Sequence, residues 1–301
     1  MDTEALRLFV LAAEKLNISA AGRDLGMAPA VSSARLAKLE KTVGADLLHR
    51  STRKVALSLE GAEFLPFARE IIAQEEAAMA ALGKGETEIS GTLRFTAPSS
   101  FAQLYIAPIV AEFLRRYPGI TLDMRLSDAE FDLIDGSFDL ALRNMVLDDS
   151  SMKGRKIADD TRVLCAAPAY IEAFGLPEGP DDLAKHQLIA FKNLTARTLH
   201  GPDGRSGIFE PRMANGRLII DNGTNLKAAT VHGAGISINS IWNVDEELRD
   251  GRLRQVLPGW TAQADTALWL VYPKSNVLSP KVRVFLDYLI DQCSGSIWAV
   301  P

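Results

Sequence analysis

Apolar residues Leu6, Phe9, Val10, Ala13 and Leu16 recur at three- and four-residue steps, broken by Glu14 and Lys15, and predict an amphipathic helix over about Thr3 to Leu16. Ser19-Ala20-Ala21-Gly22-Arg23-Asp24-Leu25-Gly26 then has the pattern of a short helix, with Ser19 as its N-cap and Gly26 ending it. Ala20 and Ala21 are small enough to let another helix approach closely. Met27-Ala28-Pro29 supplies a turn, and Pro29 suits the first position of a third helix running to Val43, where Gly44 stops it. Val31, Leu36 and Leu39 are expected in its core face, with Ser32, Ser33, Arg35 and Lys38 projecting elsewhere. Leu47 to Arg50 and Lys54 to Leu57 are β-compatible flanks of the polar turn Ser51-Thr52-Arg53, which predicts a hairpin with a basic tip.

From Ser58, a plausible N-cap, to Leu82 the chain is rich in Ala and Glu. Leu65, Ala68, Ile72, Met79 and Leu82 recur at helical steps, interrupted at Glu75, and Pro66 either begins the regular helix or kinks it. A rod of this length, ~36 Å at ~1.5 Å per residue, cannot bury its stripe alone. A second copy of itself is the simplest cover, and its own chain the alternative. Residues 83–91, with three glycines, read as a hinge.

Beyond the hinge, strands and helices alternate: a strand over Thr92 to Ala97, a helix over Phe101 to Tyr117, strands over Ile120 to Leu126 and Phe138 to Asn144, and a short helix over Ala129 to Asp135 between them. That alternation predicts an open α/β sheet with parallel strands, whose ligands bind beyond the carboxyl ends of the strands. Pro98-Ser99-Ser100 stands at such an end and at a helix start. It suits a carboxylate or another polar small molecule, although an N-cap serine is also what any helix needs.

Charge changes the picture at the N-terminus. The whole chain carries −5, yet residues 1–59 hold nine Lys/Arg against six Asp/Glu, or +3, which leaves −8 for the rest. A basic patch on an acidic body fits a DNA-contacting module or simply a solvated surface. Two short helices joined by a tight turn favour the first, because small polar side chains and Arg35 near the start of the second would let it sit deep in a major groove and reach guanine edges. A basic hairpin tip beside it would reach the phosphate backbone or minor groove. The hydrophobic fraction of 47% and charged fraction of 24% are those of a globular protein. No apolar run suffices to span a membrane and the N-terminus lacks the basic region of a signal peptide, so a cytoplasmic protein is expected.

At this point the run Ser19-Ala20-Ala21, Leu25-Gly26-Met27, Pro29, Ser33, Leu39-Glu40, Gly44 and Leu47-Leu48-His49-Arg50-Ser51-Thr52-Arg53-Lys54 resembles the winged helix-turn-helix of LysR-type transcriptional regulators. Ser33 matches the family's recognition-helix serine, and Arg53 with Lys54 its basic wing. Where the family commonly has an aliphatic residue before that serine and an Arg after it, this chain has Ser32 and Ala34, with Arg35 one residue later. Which side chain reads bases is therefore open. The candidate DNA contacts are Ser19, Pro29, Ser32, Ser33, Arg35, Lys38, Arg50, Arg53 and Lys54.

Tyr117-Pro118, Phe138-Asp139-Leu140-Ala141-Leu142-Arg143, Ala167-Pro168-Ala169-Tyr170, Leu183 with His186, Gly233-Ala234-Gly235-Ile236, and Val282-Arg283 with Phe285 extend the resemblance to the family's periplasmic-binding-protein-like effector domain. It implies a winged helix-turn-helix over 1–58, a linker and dimerisation helix over 59–82, a hinge over 83–91, and an α/β effector domain over 92–301. Within the last, subdomain I takes about 92–163 and 267–301 and subdomain II about 164–266, with a cleft between them. The implied partners are a double-stranded promoter site of pseudo-palindromic form, a small-molecule effector and further copies of the chain. Those copies would form a homodimer through the linker helix and, as is usual in the family, a homotetramer. Ser99, Ser100, Ser127, Phe191, Asn193 and Asn225 are the implied effector contacts, and Arg143 is either the counter-charge of an anionic effector or half of a structural ion pair.

Other classes find less footing. His49, His186, His200 and His232 lack metal-ligand spacing, and no Gly-x-Ser-x-Gly elbow occurs. Gly233-Ala234-Gly235 is too short for a dinucleotide fingerprint and reads as a helix stop before the strand Ile236-Ser237-Ile238. Cys165 and Cys293 alone, far apart in sequence, are too few for a disulfide framework or a zinc site, and Cys165 is expected as a buried thiol in a strand. No enzyme, cofactor or metal is expected. A solute-binding protein would have the α/β part, but it should carry a signal peptide.

Overall fold

The computed structural model describes residues 2–50, 55–81, 89–128, 138–146, 152–192, 195–212, 214, 216–262, 266–273 and 278–293. The chain divides into two units, one of residues 1–90, 132–139 and 273–284 and the other of residues 91–131, 140–272 and 285–301.

In the first unit, helix α1 (Thr3–Lys15) buries Leu6, Leu8, Phe9 and Ala12. Helix α2 (Ile18–Asp24) is capped by the Asn17 side chain, which accepts from the Ala20 N–H. Ser19, expected as the cap, therefore lies inside the helix, because Asn17 takes the extended backbone that a cap requires. Helix α3 (Pro29–Val43) begins at Pro29 as expected and ends at Gly44, whose φ of 81° is the left-handed stop. Strands β1 (Leu48–Arg50) and β2 (Val55–Leu57) pair antiparallel, with His49 opposite Ala56. The tip between them lies outside the described residues.

The core face of α3 differs from expectation at its start. Leu36 and Leu39 are buried, but Val31 is 50% exposed and Ser32 is fully buried. The reason is steric. A Cβ on Gly22 would stand 2.0 Å from Ser32 Oγ, so α2 and α3 approach through a glycine and a serine, and the serine hydroxyl donates back to Ala28 O. Helix α4 (Leu59–Ala81) starts with the expected cap, the Gly61 N–H donating to Ser58 Oγ at 2.8 Å. Pro66 lies within it. Part of the predicted stripe is covered by its own chain: Ala68 is buried, and Leu65 and Ile72 pack with Phe64 and Ile71 against the α1–α3 core. Arg7 of α1 pairs with Glu75 and Glu76 of α4 at 3.0 and 2.7 Å. Met79, at 47%, and Phe67, at 61%, stay exposed. Leu82 and residues 83–88 of the expected hinge lie outside the described residues.

The second unit holds two sheets. The first has the order β4-β3-β5-β15-β6, from β3 (Gly91–Ala97), β4 (Ile120–Leu126), β5 (Leu140–Met145), β6 (Met152–Asp159) and β15 (Ala267–Pro273). Strand β3 pairs parallel with β4 and β5, but β15 runs antiparallel to β5, so the all-parallel expectation is corrected. The returning chain enters the sheet directly as a strand, without the crossover that parallel entry needs. Between β3 and β4 the expected single helix is built in three pieces: α5 (Ser99–Phe101), a π-helical stretch over Ala102–Ile106, and α6 (Ala107–Arg116). The predicted helix near 129–135 lies outside the described residues.

The second sheet, antiparallel at each described pairing, runs β10-β9-β14-β7-β12, with β13 also on β7. Its strands are β7 (Arg162–Ala166), β9 (Arg197–His200), β10 (Ser206–Phe209), β12 (Ser237–Ser240), β13 (Arg254–Val256) and β14 (Thr261–Ala262). Strands β8 (Ile189–Phe191) and β11 (Leu218–Ile220) form a parallel pair. Helices α7 (Pro168–Phe174), α8 (Gly223–Val231) and α9 (Ile241–Arg249) accompany it, and α10 (Pro280–Cys293) closes the described chain, with Phe285 stacked edge-on to Phe95. The chain leaves the first sheet for the second between Asp159 and Arg162 and returns between Ala262 and Ala267. Gly233 and Gly235 have positive φ and stop α8 before β12, as expected. Cys165 lies buried in β7, where burial pushes its thiol up to about 11.

Candidate functional site

Two sites are built, one in each unit. In the first, Ala30, Ser33, Ala34, Ala37, Lys38 and Lys41 are all exposed on α3, and at ~100° per residue they share one face of about 140°. This face carries three methyl groups, one hydroxyl and two ammonium groups, so it can approach base edges closely while the lysines reach phosphate. Ser33, Lys38 and Pro29 are exposed as expected, and Ser19 is half-buried. Ser32, counted among the candidate contacts, is turned into the head and presents nothing to a duplex. Ala30, Ala34, Ala37 and Lys41 were missed, because alanine gives no chemical signal until the exposed face is known. Arg35 sits at the edge, where its guanidinium is ion-paired with Glu4 and lies 3.5 Å from Asp2. Glu40 accepts from the backbone N–H groups of Leu47 and Leu48 at 3.1 and 3.2 Å, which holds the wing to α3. Arg50 ends β1, opposite Val55; Arg53 and Lys54 lie outside the described residues.

The second site is a cavity of about 360 Å³ between the two sheets. Strand ends bring its wall together from places remote in sequence: Ser100 of α5, Ser127 and Asp128 after β4, Arg143 and Asn144 of β5, Arg162 of β7, Phe191 and Lys192 of β8 and its exit, Trp242 and Asn243 of α9, and Thr266. An opening of about 500 Å³ shares Ser127, Asp128 and Lys192 with it and adds Ser99 and Asn222. Ser99, Ser100, Ser127 and Phe191 thus converge as expected. Ser99 is the first helical residue and Pro98 holds the cap position, so neither serine side chain is spent on capping α5. Asn225 is exposed on α8 and does not line the cavity; its neighbour Asn222 caps that helix, accepting from the Asn225 N–H. Asn193 lies outside the described residues. Gly223 comes so near α5 that an added Cβ would be 2.9 Å from Ser100 Oγ.

Positive charge dominates this wall among the described residues, which line it with Arg143, Arg162, Lys192 and Arg197 and the carboxylate of Asp128. Arg143 donates to Leu142 O at 2.8 Å and Thr96 Oγ1 at 2.9 Å, both neutral acceptors. Burial holds its guanidinium below the ordinary value, with Asp128 acting in the opposite direction. An arginine nevertheless stays protonated. Burial likewise pushes the Asp128 carboxyl up, against the pull of the Gly223 N–H, Lys192, the Ser99 N–H and Arg143. Asp128 accepts from Asn222 Nδ2 at 3.0 Å and from Gly223 N at 3.2 Å, at the positive end of α8. Lys192 has a φ of 62°, in the left-handed region that few side chains adopt. Behind the wall, buried Asp160 accepts from Asn144 Nδ2, Arg162 Nε and Trp242 Nε1 at 2.5, 2.6 and 2.9 Å, fixing three lining residues at the crossover between sheets.

Among the described residues no cluster of three or more His, Cys, Asp or Glu could hold a metal, and no helix is long and apolar enough to cross a membrane.

Comparison with known proteins agrees in both parts of the chain. The model of the "Bacterial regulatory helix-turn-helix protein, lysR family" matches residues 3–62, and that of the "LysR substrate binding domain" matches residues 86–294. An HTH-type transcriptional regulator of Xanthomonas campestris is 33% identical over 299 residues, covering 96% of this chain and 85% of its own. Among solved structures, CrgA, a LysR-type transcriptional regulator from Neisseria meningitidis, superposes with a TM-score of 0.62 at 28% identity, covering 98% of this chain and 100% of its own. The full-length Vibrio cholerae virulence activator AphB gives 0.59 at 25% identity, covering 97% of this chain and 99% of its own.

Proposed function

Since this chain belongs to the LysR family of bacterial helix-turn-helix regulators, we propose that an anionic small molecule in the cavity of the second unit modulates its grip on promoter DNA. The protein is a transcriptional regulator and not an enzyme, with a helix-turn-helix that binds DNA and a domain that binds a small-molecule effector. One observation carries the anionic reading: among the described residues the half-buried Arg143 guanidinium donates to neutral acceptors, in a wall that also holds Lys192, Arg197 and an Arg162 paired with Asp160, against the carboxylate of Asp128. A buried charge demands an opposite one or strong hydrogen bonds, and a carboxylate supplies both. Of the two readings of Arg143, counter-charge and structural ion pair, the first is favoured.

On the DNA side, Ser33 and the methyl groups of Ala30, Ala34 and Ala37 approach base edges, while Lys38, Arg50, Arg53 and Lys54 take phosphates. Ser19 and Pro29 position the start of α3 on the backbone. Arg35 reads guanine after exchanging Glu4 and Asp2 for the duplex. Residues 1–58 make this head, 59–82 the linker, 83–91 the hinge and 92–301 the effector domain, its subdomains dividing near 163 and 266. Copies pair through α4, whose exposed Phe67 and Met79 support that face, and two pairs make a tetramer on a pseudo-palindromic site in the cytoplasm.

The test has two arms. Sequencing of duplex bound by the purified chain supplies the site, and fluorescence anisotropy across a salt series then measures affinity with and without small acids. Arg53→Ala and Lys54→Ala should each reduce the salt slope by about one unit. An unchanged slope removes them from the phosphate contacts. Acids that neither bind nor alter DNA affinity would sink the anionic effector.

A further inference from the structure

Over its first two turns α3 exposes Pro29, Ala30, Val31, Ser33 and Ala34, and the hydroxyl of Ser33 is the one polar group among these side chains. Ser32 is fully buried, and Arg35, half-buried, is ion-paired with Glu4. A turn further on Ala37 is exposed, with Lys38 and Lys41 beside it. The start of a recognition helix is the part that meets base edges, and here it meets them with methyl groups.

At ~100° per residue, Ala30, Ala34 and Ala37 fall within about 60° of one another, between Ser33 at one margin and Lys38 at the other. Along the axis they span ~10 Å at ~1.5 Å per residue, the length of about three base-pair steps of ~3.4 Å. Together they form a short apolar strip on a helix that the family match over residues 3–62 assigns to DNA.

The chemistry of the major groove decides what such a strip can read. Every base edge there carries donors or acceptors, and thymine alone adds an apolar group, its 5-methyl. An alanine methyl pressed on a bare carbonyl or amine strips its water and returns no hydrogen bond, which costs affinity. Pressed on a thymine methyl, it removes apolar surface from water on both sides, which adds affinity. Arginine would serve guanine, and asparagine or glutamine would serve adenine. None of these lies on the strip.

We infer that the target site presents thymine 5-methyl groups to Ala30, Ala34 and Ala37, and that these alanines set the base preference under the middle of α3. The inference rests on the reading above that this face approaches base edges, and it names what the face reads there. Arg35, at the edge of the face, keeps its guanine.

Single uracil-for-thymine replacements in the duplex that the purified full chain selects test this, because each removes one methyl and nothing else. Fluorescence anisotropy should show about fourfold weaker binding at one to three neighbouring thymines, the effect of one buried CH2. For each sensitive thymine, one of Ala30→Gly, Ala34→Gly and Ala37→Gly should bring the thymine and uracil duplexes to equal affinity. A loosened helix would instead weaken both duplexes alike. Ala34→Ser, which leaves the helix its Cβ and sets a hydroxyl against the methyl, should equalise its own pair in the same way. Uracil tolerated at every thymine, or a thymine preference that survives all of these variants, would overturn the inference and leave base contact by α3 standing. Ala34→Glu places a charged side chain on the strip and should abolish binding to any duplex. Binding that survives it would overturn the reading beneath, that this face meets DNA.

Discussion

Two arginines, one in each unit, carry the readings of the two sites, and they are held in opposite ways. Arg35 at the edge of α3 is half-buried and ion-paired with Glu4, beside Asp2, acids of its own chain. Arg143 in the cavity donates to a carbonyl and a hydroxyl, and the Asp128 carboxylate acts on its charge without a hydrogen bond between them among the described residues. An exposed ion pair in water is worth little, so Arg35 can exchange one anion for another at small cost. A half-buried cation whose hydrogen bonds go to neutral acceptors keeps capacity for an anion. The head is thus built to trade contacts along a polyanion, and the cavity to take one molecule and keep it.

The contrast can be broken most directly at Arg143. Arg143→Met should weaken binding of whichever acid the cavity accepts by about 10- to 100-fold, the size of a lost charge-assisted hydrogen bond, and leave DNA affinity without acid unaltered. Calorimetry beside anisotropy checks both halves, and an acid affinity that survives would reduce Arg143 to a structural role. Gly22→Ala comes next. Its new Cβ meets Ser32 Oγ at 2.0 Å, so thermal unfolding of the head should show a loss of about 1–3 kcal/mol from overpacking. Gly223→Ala, facing Ser100 at 2.9 Å, should disturb ligand affinity more than stability. If Gly22→Ala unfolds like the parent, the close approach of α2 and α3 is wrong.

Arg35→Ala should cost about 1–3 kcal/mol on the preferred duplex and less on random sequence. Equal losses on both would make it a phosphate contact. Glu4→Gln should act the other way and tighten DNA binding by a few-fold at most, because the exposed pair it breaks is worth ~0.2–1 kcal/mol.

The smallest effect is one of pH. Burial raises the Asp128 carboxyl, so in the folded chain its neutral form is favoured; that contribution to stability is complete below the ordinary carboxylate range and is lost as pH rises through the raised value. Above that value its charge also repels an incoming carboxylate. Acid affinity should therefore rise a few-fold as pH falls through that raised value, and Asp128→Asn should flatten the trend. A flat wild-type profile would mean that Asp128 does not sense the ligand.

Residue order alone determined the elements whose cause is local. The heptad-like spacing of Leu6, Phe9 and Ala13, Pro29 at a helix start, Gly44 at its end, the Ser58 cap and the wing strands all depend on neighbours within a few positions, and all appear where the pattern placed them. The buried Cys165 is of the same kind. Local pattern misled where two residues competed for one role, as Asn17 and Ser19 did for the cap of α2, or where a distant residue decided, as Gly22 did in drawing Ser32 inward. It could not show that β15 enters its sheet antiparallel, since nothing within a strand records its partner's direction. The cavity was legible only in fragments: Ser99 and Ser100 stood at a strand end and a helix start, Ser127 and Phe191 came from the family resemblance, and Arg162, Lys192, Asn144 and Asn243 are ordinary residues until the sheets bring them to one wall. Tertiary structure alone decided which polar groups are partnered there, because a hydrogen bond between residues 16 or 82 positions apart, as Asp160 makes with Asn144 and Trp242, leaves no trace in local order.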